Sequence, residues 1–219
     1  MALLGNARPH SKAISLDDGV LRTNGGLVSM KAPPGWTASM TIRKIYPGAP
    51  QETFFFLSKG GGSKTSIGLF FSGIYFDEVD GRLQKEELFD SDIDLVAGSA
   101  EATKLIGGDG MLAEVSWMGK YLLSVDHAVQ SYEKYCRAIK STTFKGLKSV
   151  IFEFENVDLG RKTIEYCIDV LGNGRILYSL FYTSSREFYA ENLDTAVSAL
   201  ETSVWTTEFD PSLELNVVS

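Results

Sequence analysis

The sequence predicts an α+β protein in which helices pack on the faces of an antiparallel β-sheet, an α/β/α sandwich. Three observations lead to this class. Short segments rich in β-branched and aromatic residues dominate the first and last thirds of the chain. Glycine-containing turns at residues 60–62 and 171–175 join neighbouring strands as hairpins. Other segments carry apolar residues every three or four positions, which is typical of amphipathic helices.

The length and composition predict one domain with a packed core. The chain has 219 residues, of which 44% are hydrophobic. Residues 1–25 mix Gly, Asn, Asp, Ser and Arg without periodicity, which predicts a loosely ordered N-terminal arm. Residues 26–210 form the single α+β domain, with an acidic insertion around residues 77–124. Residues 211–219 are a C-terminal tail.

Four strands are predicted before the acidic insertion. The first, within residues 25–32, ends at Pro33 and Pro34, because proline cannot donate to a strand ladder. The other three are predicted at residues 39–46, 52–58 and 66–76. Phe54, Phe55 and Phe56 are consecutive, and a strand cannot turn all three to one face of a sheet. This strand is therefore expected to be buried on both faces, with helices covering both sides.

Two helices are predicted in the middle of the chain. The first spans residues 91–106, with Ser91 or Asp92 as its N-cap and acidic residues at its positive end. The second spans residues 124–141. Its apolar residues are spaced by four and three positions, which predicts one buried stripe. The stripe consists of Val125, Val129, Tyr132, Cys136 and Ile139.

The last third predicts three antiparallel strands and a closing helix. Residues 149–157 alternate phenylalanine with glutamate, as a half-buried strand does. In the next strand, residues 162–170, Ile164, Tyr166, Ile168 and Val170 lie on one face and Glu165, Cys167 and Asp169 on the other. Residues 175–184 return as the third strand. The helix follows over residues 184–205, capped near Ser185, and its predicted apolar stripe comprises Leu193, Val197, Leu200 and Val204.

The charge of the chain restricts its partners. The formal net charge is −7, from 21 basic and 28 acidic residues. Nucleic acid is not expected, because phosphate neutralisation needs a basic face. No apolar run reaches the roughly 18 residues of a membrane-spanning helix. We expect a cytoplasmic protein if the chain is complete, and a periplasmic or secreted one if a signal peptide has been removed.

The glycine run at residues 60–62 looks at first like a phosphate-binding loop. A Walker A loop needs glycines five positions apart, with the second directly before the lysine. If Lys64 were that lysine, Ser58 and Ser63 would occupy both glycine positions. The run also leads into a strand, whereas phosphate binding needs a helix N-terminus. The sequence therefore predicts a hairpin turn.

A calcium site is the candidate metal centre. Asp90, Asp92, Asp94 and Glu101 occupy positions one, three, five and twelve of a calcium-binding loop. Leu95 stands where the sharp turn of such a loop requires glycine, so an acidic helix start is the favoured interpretation. Calcium is accordingly a possible cofactor, and no other cofactor is expected.

No catalytic residue set is predicted. His10 and His127 are the two histidines, and His127 lies nine positions from Cys136 on one predicted helix, too far for a hydrogen bond. Glu165 and Asp169 share a strand face but stand about 13 Å apart, too far for glycosidase chemistry. Cys136 is expected to be a buried core residue. A disulfide with Cys167 stays open, because it requires the second strand face to be covered by a helix.

The sequence resembles the PsbP-like proteins, which include the photosystem extrinsic protein PsbP and bacterial relatives of the DcrB and LpqN types. The resemblance lies in "APPGW" at residues 32–36 and in the closing segment, residues 177–205. The matching positions there are Tyr178, Leu180, Phe188, Ser203 and Val204. Together it covers residues 26–46 and 145–206. It implies an α/β/α sandwich that usually binds proteins, metals or small ligands without catalysis. The acidic insertion departs from the family pattern, and no functional residue transfers.

The sequence thus favours a non-enzymatic binding or accessory protein that acts through protein–protein contacts. Its acidic insertion, with ten acidic and three basic residues between Asp77 and Asp109, is the expected partner surface. A small-ligand or calcium-binding protein is the alternative, and a hydrolase with an unrecognised carboxylate pair is a third.

Overall fold

The computed structural model describes most of the first and last thirds of the chain. The described residues are 10–44, 51–60, 65–74, 89–90, 92–96, 136–157, 159–174 and 176–210. They form two antiparallel sheets and a helix. The predicted helical residues 97–106 and 124–135 lie outside this part of the chain, as do His127, Glu101 and most of the acidic insertion.

The large sheet has nine strands in the described part, and every neighbouring pair is antiparallel. Its members are β1 (His10–Ile14), β4 (Thr37–Lys44), β5 (Gln51–Ser58), β6 (Ser66–Ile74), β7 (Asp94–Val96), β8 (Cys136–Phe144), β9 (Leu147–Asn156), β10 (Arg161–Asp169) and β11 (Ile176–Ser185). The spatial order is β1-β4-β5-β6-β11-β10-β9-β8-β7.

A small sheet and a helix complete the described structure. The small sheet has the order β12-β3-β2, from β2 (Val20–Arg22), β3 (Leu27–Lys31) and β12 (Val204–Trp205). Helix α1 (Arg186–Glu201) directly follows β11, with Ser185 at its N-cap position as predicted. The threonine hydroxyl at position 202 accepts the Lys31 N–H at 2.8 Å, and this contact ties the end of the helix to the small sheet.

The prediction of an α/β/α sandwich is wrong. The described residues are mostly antiparallel strand, with the single 16-residue helix α1 on one face of the large sheet. Two predicted helices coincide in part with strands. Residues 94–96 of the first form β7, and residues 136–141 of the second belong to β8. Both segments pair with neighbouring strands, so tertiary pairing outweighs their local helical pattern.

A β-bulge explains why β8 resembled a helix in sequence. The register between β8 and β9 shifts between Cys136 and Ala138, which pair with Phe154 and Glu153. One extra residue on β8 reverses the alternation of its side chains beyond that point. Cys136 and Ile139, three positions apart, are therefore both buried on the same sheet face. Spacing by three is helical in a regular segment but is also produced by a bulged strand.

One face of the large sheet, here called the helix face, holds the main core. Side chains of the central strands pack there against α1 and the small sheet. From the sheet come Leu69, Ile168, Tyr178, Leu180 and Tyr182, and from the covering elements Leu27, Met30, Ala196, Ala199 and Leu200. The prediction that Leu200 lies on the buried stripe of the helix is confirmed. The same prediction is wrong for Val204, which lies beyond the end of the helix, on β12, and is 52% exposed.

The opposite face, here called the phenylalanine face, carries six phenylalanines on four of the five consecutive strands β5-β6-β11-β10-β9. They are Phe54 and Phe56 of β5, Phe70 of β6, Phe152 and Phe154 of β9 and Phe181 of β11. Phe56 is half-buried and the other five are buried. Because Phe54 lies on this face and Phe55 on the helix face, the prediction that β5 is buried on both faces is confirmed. Helices on both faces are not seen in the described residues.

The strands predicted from the sequence are largely confirmed. β3, β4, β5 and β6 occupy the expected segments, and β9, β10 and β11 form an antiparallel set. Gly172 and Gly174 have φ of 70° and 68°, as the predicted turn between β10 and β11 requires. Residues 58 and 66 face each other across the β5–β6 hairpin, so the glycine run joins two strands. The segment predicted as a loose arm, residues 1–25, includes β1 and β2.

Gly68 on β6 makes room for the ring of Phe181. A Cβ atom at residue 68 would lie 2.1 Å from Cζ of Phe181, which is fully buried. We expect Gly68→Ala to lower the free energy of unfolding by about 1–3 kcal/mol in urea denaturation, because the ring cannot move without strain. Gly60→Ala is the matched control. Its Cβ would meet no atom within 4 Å, so its effect should stay within about 0.5 kcal/mol. Equal effects at both positions would contradict this packing.

Candidate functional site

Three of the four predicted calcium ligands lie in the described residues. Asp90 pairs with Lys148, and Asp94 on β7 lies 3.6 Å from Lys140 Nζ on β8. Asp92 is exposed. Glu101 lies outside the described residues, so the complete set is not seen together, and the calcium site stays a prediction. Within the described ranges, no group of three or more His, Cys, Asp or Glu side chains is placed to hold a metal ion.

The two cysteines are buried on the phenylalanine face and are not joined in a disulfide, so the pairing left open by the sequence is not formed. Cys136 of β8 and Cys167 of β10 lie on opposite sides of β9. Cys136 pairs with Phe154 of that strand and Cys167 with Val150, four residues earlier. The offset along the strands alone is about 13 Å, twice the span of a disulfide. Burial raises the pKa of the Cys136 thiol to about 12, so this thiol is neutral and unreactive at ordinary pH.

Glu165 is a fully buried carboxylate at the centre of the phenylalanine face. The sequence placed Glu165, Cys167 and Asp169 together on the second face of β10, and all three are buried there. Phe152 and Phe181 flank Glu165 on the adjacent strands, and the Ser179 hydroxyl donates a hydrogen bond to its Oε1. Thr163 donates a hydrogen bond to Thr183 Oγ1 at 2.9 Å on the same face. This row of polar groups is closed to solvent.

Asp169, the second carboxylate on this face, has a structural role. Its Oδ1 accepts the N–H of Gly172 at 3.0 Å, and its Oδ2 accepts that of Gly174 at 2.9 Å. Burial raises the pKa of Asp169, and these N–H groups oppose the rise. Both oxygens therefore hold the β10–β11 turn. The two carboxylates therefore have different hydrogen-bond partners, Ser179 for Glu165 and the turn N–H groups for Asp169.

A charged cluster at the other end of the same strands is exposed. Glu155 of β9 faces three cations on three different elements, β8, β10 and α1. Arg137 Nε lies 3.7 Å from Glu155 Oε2, Lys162 Nζ 3.8 Å from Oε1 and Arg186 Nε 3.0 Å from Oε1. Between 40% and 50% of each cationic side chain is exposed, but only 20% of Glu155. The cations are therefore accessible to a partner while the carboxylate is shielded.

The cluster has a surplus of positive charge. Three cations surround one anion, so these four residues together carry a net charge of +2 in a chain whose overall charge is −7. Lys162 Nζ also lies 6.0 Å from the centre of the Tyr189 ring. Burial raises the pKa of the Tyr189 hydroxyl, so this ring stays neutral beside the lysine. The field of such a cluster extends about one Debye length, roughly 8 Å at physiological salt.

Two exposed apolar residues stand beside the cations at the tip of the β9–β10 hairpin. Val157 is 53% and Leu159 57% exposed. The tip is held by three hydrogen bonds. Asn156 Oδ1 accepts the Leu159 N–H at 2.8 Å, Val157 O accepts the Gly160 N–H at 3.1 Å, and Gly160 O accepts the Arg186 N–H at 2.8 Å. The last bond joins the tip to the start of α1. We call Val157, Leu159, Arg137, Glu155, Lys162 and Arg186 the hairpin–helix surface.

The hairpin–helix surface is not among the sites predicted from the sequence. One signal was available, because the predicted strands around residues 149–157 and 162–170 place Glu155 and Lys162 opposite each other across the hairpin. The two arginines come from β8 and α1, and their positions depend on contacts that no local pattern shows.

Comparisons with known proteins do not establish a family for this chain. No family model matches the sequence, and no curated protein matches it. Among solved structures, the chain is similar to the solution structure of cyanobacterial PsbP (CyanoP) from Synechocystis sp. PCC 6803. The identity is 12%, the TM-score is 0.43, and the match covers 94% of this chain and 98% of that chain. This PsbP-like resemblance is weak, and it supports no conclusion about a family or a site.

The helix in the described part of the chain is too short and too polar to cross a membrane. This finding agrees with the absence of a long apolar run in the sequence.

We expect both cysteines of the native protein to resist Ellman's reagent at about pH 8, because the thiols are buried and Cys136 carries a raised pKa. Both should react in concentrated guanidinium chloride. Rapid reaction of a native thiol would contradict the burial. The folded pKa of Cys136 is raised, so the folded state retains the proton longer than the unfolded state. The Cys136 contribution to stability is therefore full below its ordinary pKa of about 9 and is lost as the pH rises towards 12.

Proposed function

We propose that this protein is a non-enzymatic binding or accessory protein that contacts a partner protein through its hairpin–helix surface. The observation that carries the proposal is the pair of exposed apolar residues, Val157 and Leu159, at a hairpin tip beside three half-exposed cations. Exposed apolar side chains with neighbouring charge are typical of protein-binding surfaces, where the apolar part supplies affinity and the charges supply orientation and association rate.

The hydrogen bonds of the described tip residues favour binding. Three hydrogen bonds hold the turn, and one of them connects it to α1, whose buried face packs on the sheet. A segment that is ordered before association loses little conformational entropy on binding. Val157 and Leu159 are therefore held in position before a partner arrives.

The charge of the cluster favours an acidic partner. A surplus of cations attracts an acidic protein segment, and the apolar tip requires that this segment also carry apolar side chains. The described surface thus complements the expectation from the sequence, in which the acidic insertion faces a partner. The insertion lies mostly outside the described residues, and its role stays a prediction.

Site-specific photocrosslinking tests the proposal. With p-benzoylphenylalanine at Leu159, we expect a crosslinked product of defined mass in the cells from which the gene comes, because this side chain would lie inside the interface. The matched control places the same group at Val204, which is 52% exposed on β12, away from the surface. The double substitution Lys162→Glu and Arg186→Glu should abolish the product, since it reverses the charge that attracts the partner.

Three crosslinking results would contradict the proposal. An identical set of products from residues 159 and 204, no product at residue 159, or products that persist after charge reversal would each overturn the proposal. Thermal unfolding of the charge-reversed variant separates loss of binding from loss of fold. We expect a stability change of about 1 kcal/mol per ion pair or less, because the pairs are partly exposed to solvent.

A further inference from the structure

We propose that Glu155 is a built-in competitor that occupies the cations of the hairpin–helix surface until a carboxylate of an acidic partner segment replaces it. The inference rests on the proposed function and specifies the chemistry of the partner. Glu155 is the carboxylate on which Arg137, Lys162 and Arg186 converge.

The contacts of Glu155 with the three cations are electrostatically favourable, but they do not provide Glu155 Oε1 with a hydrogen bond. Within the described ranges, Glu155 Oε1 is buried and accepts no hydrogen bond, although Arg186 Nε is 3.0 Å away. Arg137 Nε and Lys162 Nζ stand at 3.7 and 3.8 Å, beyond the usual hydrogen-bond distance. A buried acceptor without a hydrogen bond is unfavourable, so these pairs are weaker than well-aligned ones.

The unused donors belong to the exposed side chains. In the described part of the chain, the side chains of Lys162 and Arg186 donate no hydrogen bond, and they are 40% and 50% exposed to solvent. A partner carboxylate can approach from the solvent side and align with the planar arginine group, which forms two parallel N–H···O bonds in its best geometry. It would gain hydrogen bonds that Glu155, attached to β9, does not make.

Glu155 also has a consequence for specificity. Its negative charge remains beside the cations when a partner binds, so it repels the incoming carboxylate and lowers the affinity of every acidic segment. A segment with isolated acidic residues gains too little binding free energy to overcome this repulsion. A segment with several carboxylates and apolar side chains for Val157 and Leu159 gains enough. Glu155 therefore selects strongly acidic, partly apolar segments.

Fluorescence anisotropy of the full chain with a labelled peptide rich in glutamate and leucine tests the inference. We expect Glu155→Gln to bind this peptide roughly two- to fivefold more tightly than the wild type, the range that corresponds to a half-exposed ion pair. Lys162→Gln should bind it more weakly by a similar factor. Glu208→Gln is the matched control, because it makes the same charge change at an exposed site near the end of the described chain and should leave the affinity unchanged.

The outcomes separate the two proposals. If Leu159→Asp weakens peptide binding but Glu155→Gln does not tighten it, the competitor role is overturned and the proposed function stands. If peptide binding is absent, or indifferent to Leu159→Asp, both are overturned. Binding of vesicles containing phosphatidylserine, with no binding of the peptide, would assign the cations to a lipid surface and would also overturn both. A peptide in which glutamine replaces glutamate should not bind any variant.

Discussion

Strand β11 is buried on both faces along nearly its whole length, and the arrangement of the rest of the structure depends on this burial. A strand at the centre of a nine-stranded sheet needs apolar cover on each side. On the helix face, Tyr178, Leu180 and Tyr182 pack against α1 and the small sheet, and the Tyr178 hydroxyl accepts the Gly26 N–H at 2.8 Å. On the phenylalanine face, Phe181 lies over Gly68 of the neighbouring strand. β11 therefore positions both β10, which carries Lys162, and α1, which begins with Arg186.

The sequence was informative where a strand pattern was local and regular. β9 alternates phenylalanine and glutamate, and the β10–β11 turn needs glycines with positive φ, so both were predictable. It was misleading at β8, where the bulge at Cys136 and Ala138 gives apolar residues a helical spacing. The sequence also places two acidic residues, Glu165 and Asp169, on the second face of β10, which is typical of an exposed face. Glu165 and Asp169 are nevertheless buried there, because each has hydrogen-bond partners that single-residue polarity does not reveal.

The candidate site was predictable only in part, because only one of its ion pairs lies within a single hairpin. The Glu155–Lys162 pair follows from the hairpin alone, since the two residues lie at equivalent positions on its arms. Arg186 reaches Glu155 because α1 starts immediately after β11 and its first N–H bonds to Gly160 in the turn. This contact joins elements that are separated in sequence by two whole strands, β10 and β11. No periodicity within either element contains that information, so the surface could be recognised only once the sheet order was known.

The bulge in β8 gives this strand its helix-like spacing in sequence, and it also positions one residue of the candidate site. Ile139 is anchored on the phenylalanine face opposite Phe152. In a regular strand, residues two positions apart share a face, so Arg137 would then also lie on that buried face. The extra residue allows Ile139 and Cys136 to be buried while Arg137 lies on the helix face, 3.7 Å from Glu155. The irregularity that made β8 resemble a helix thus brings the third cation into the cluster. Bulges often redirect side chains at functional sites, and here the redirected side chain becomes the third cation beside Glu155.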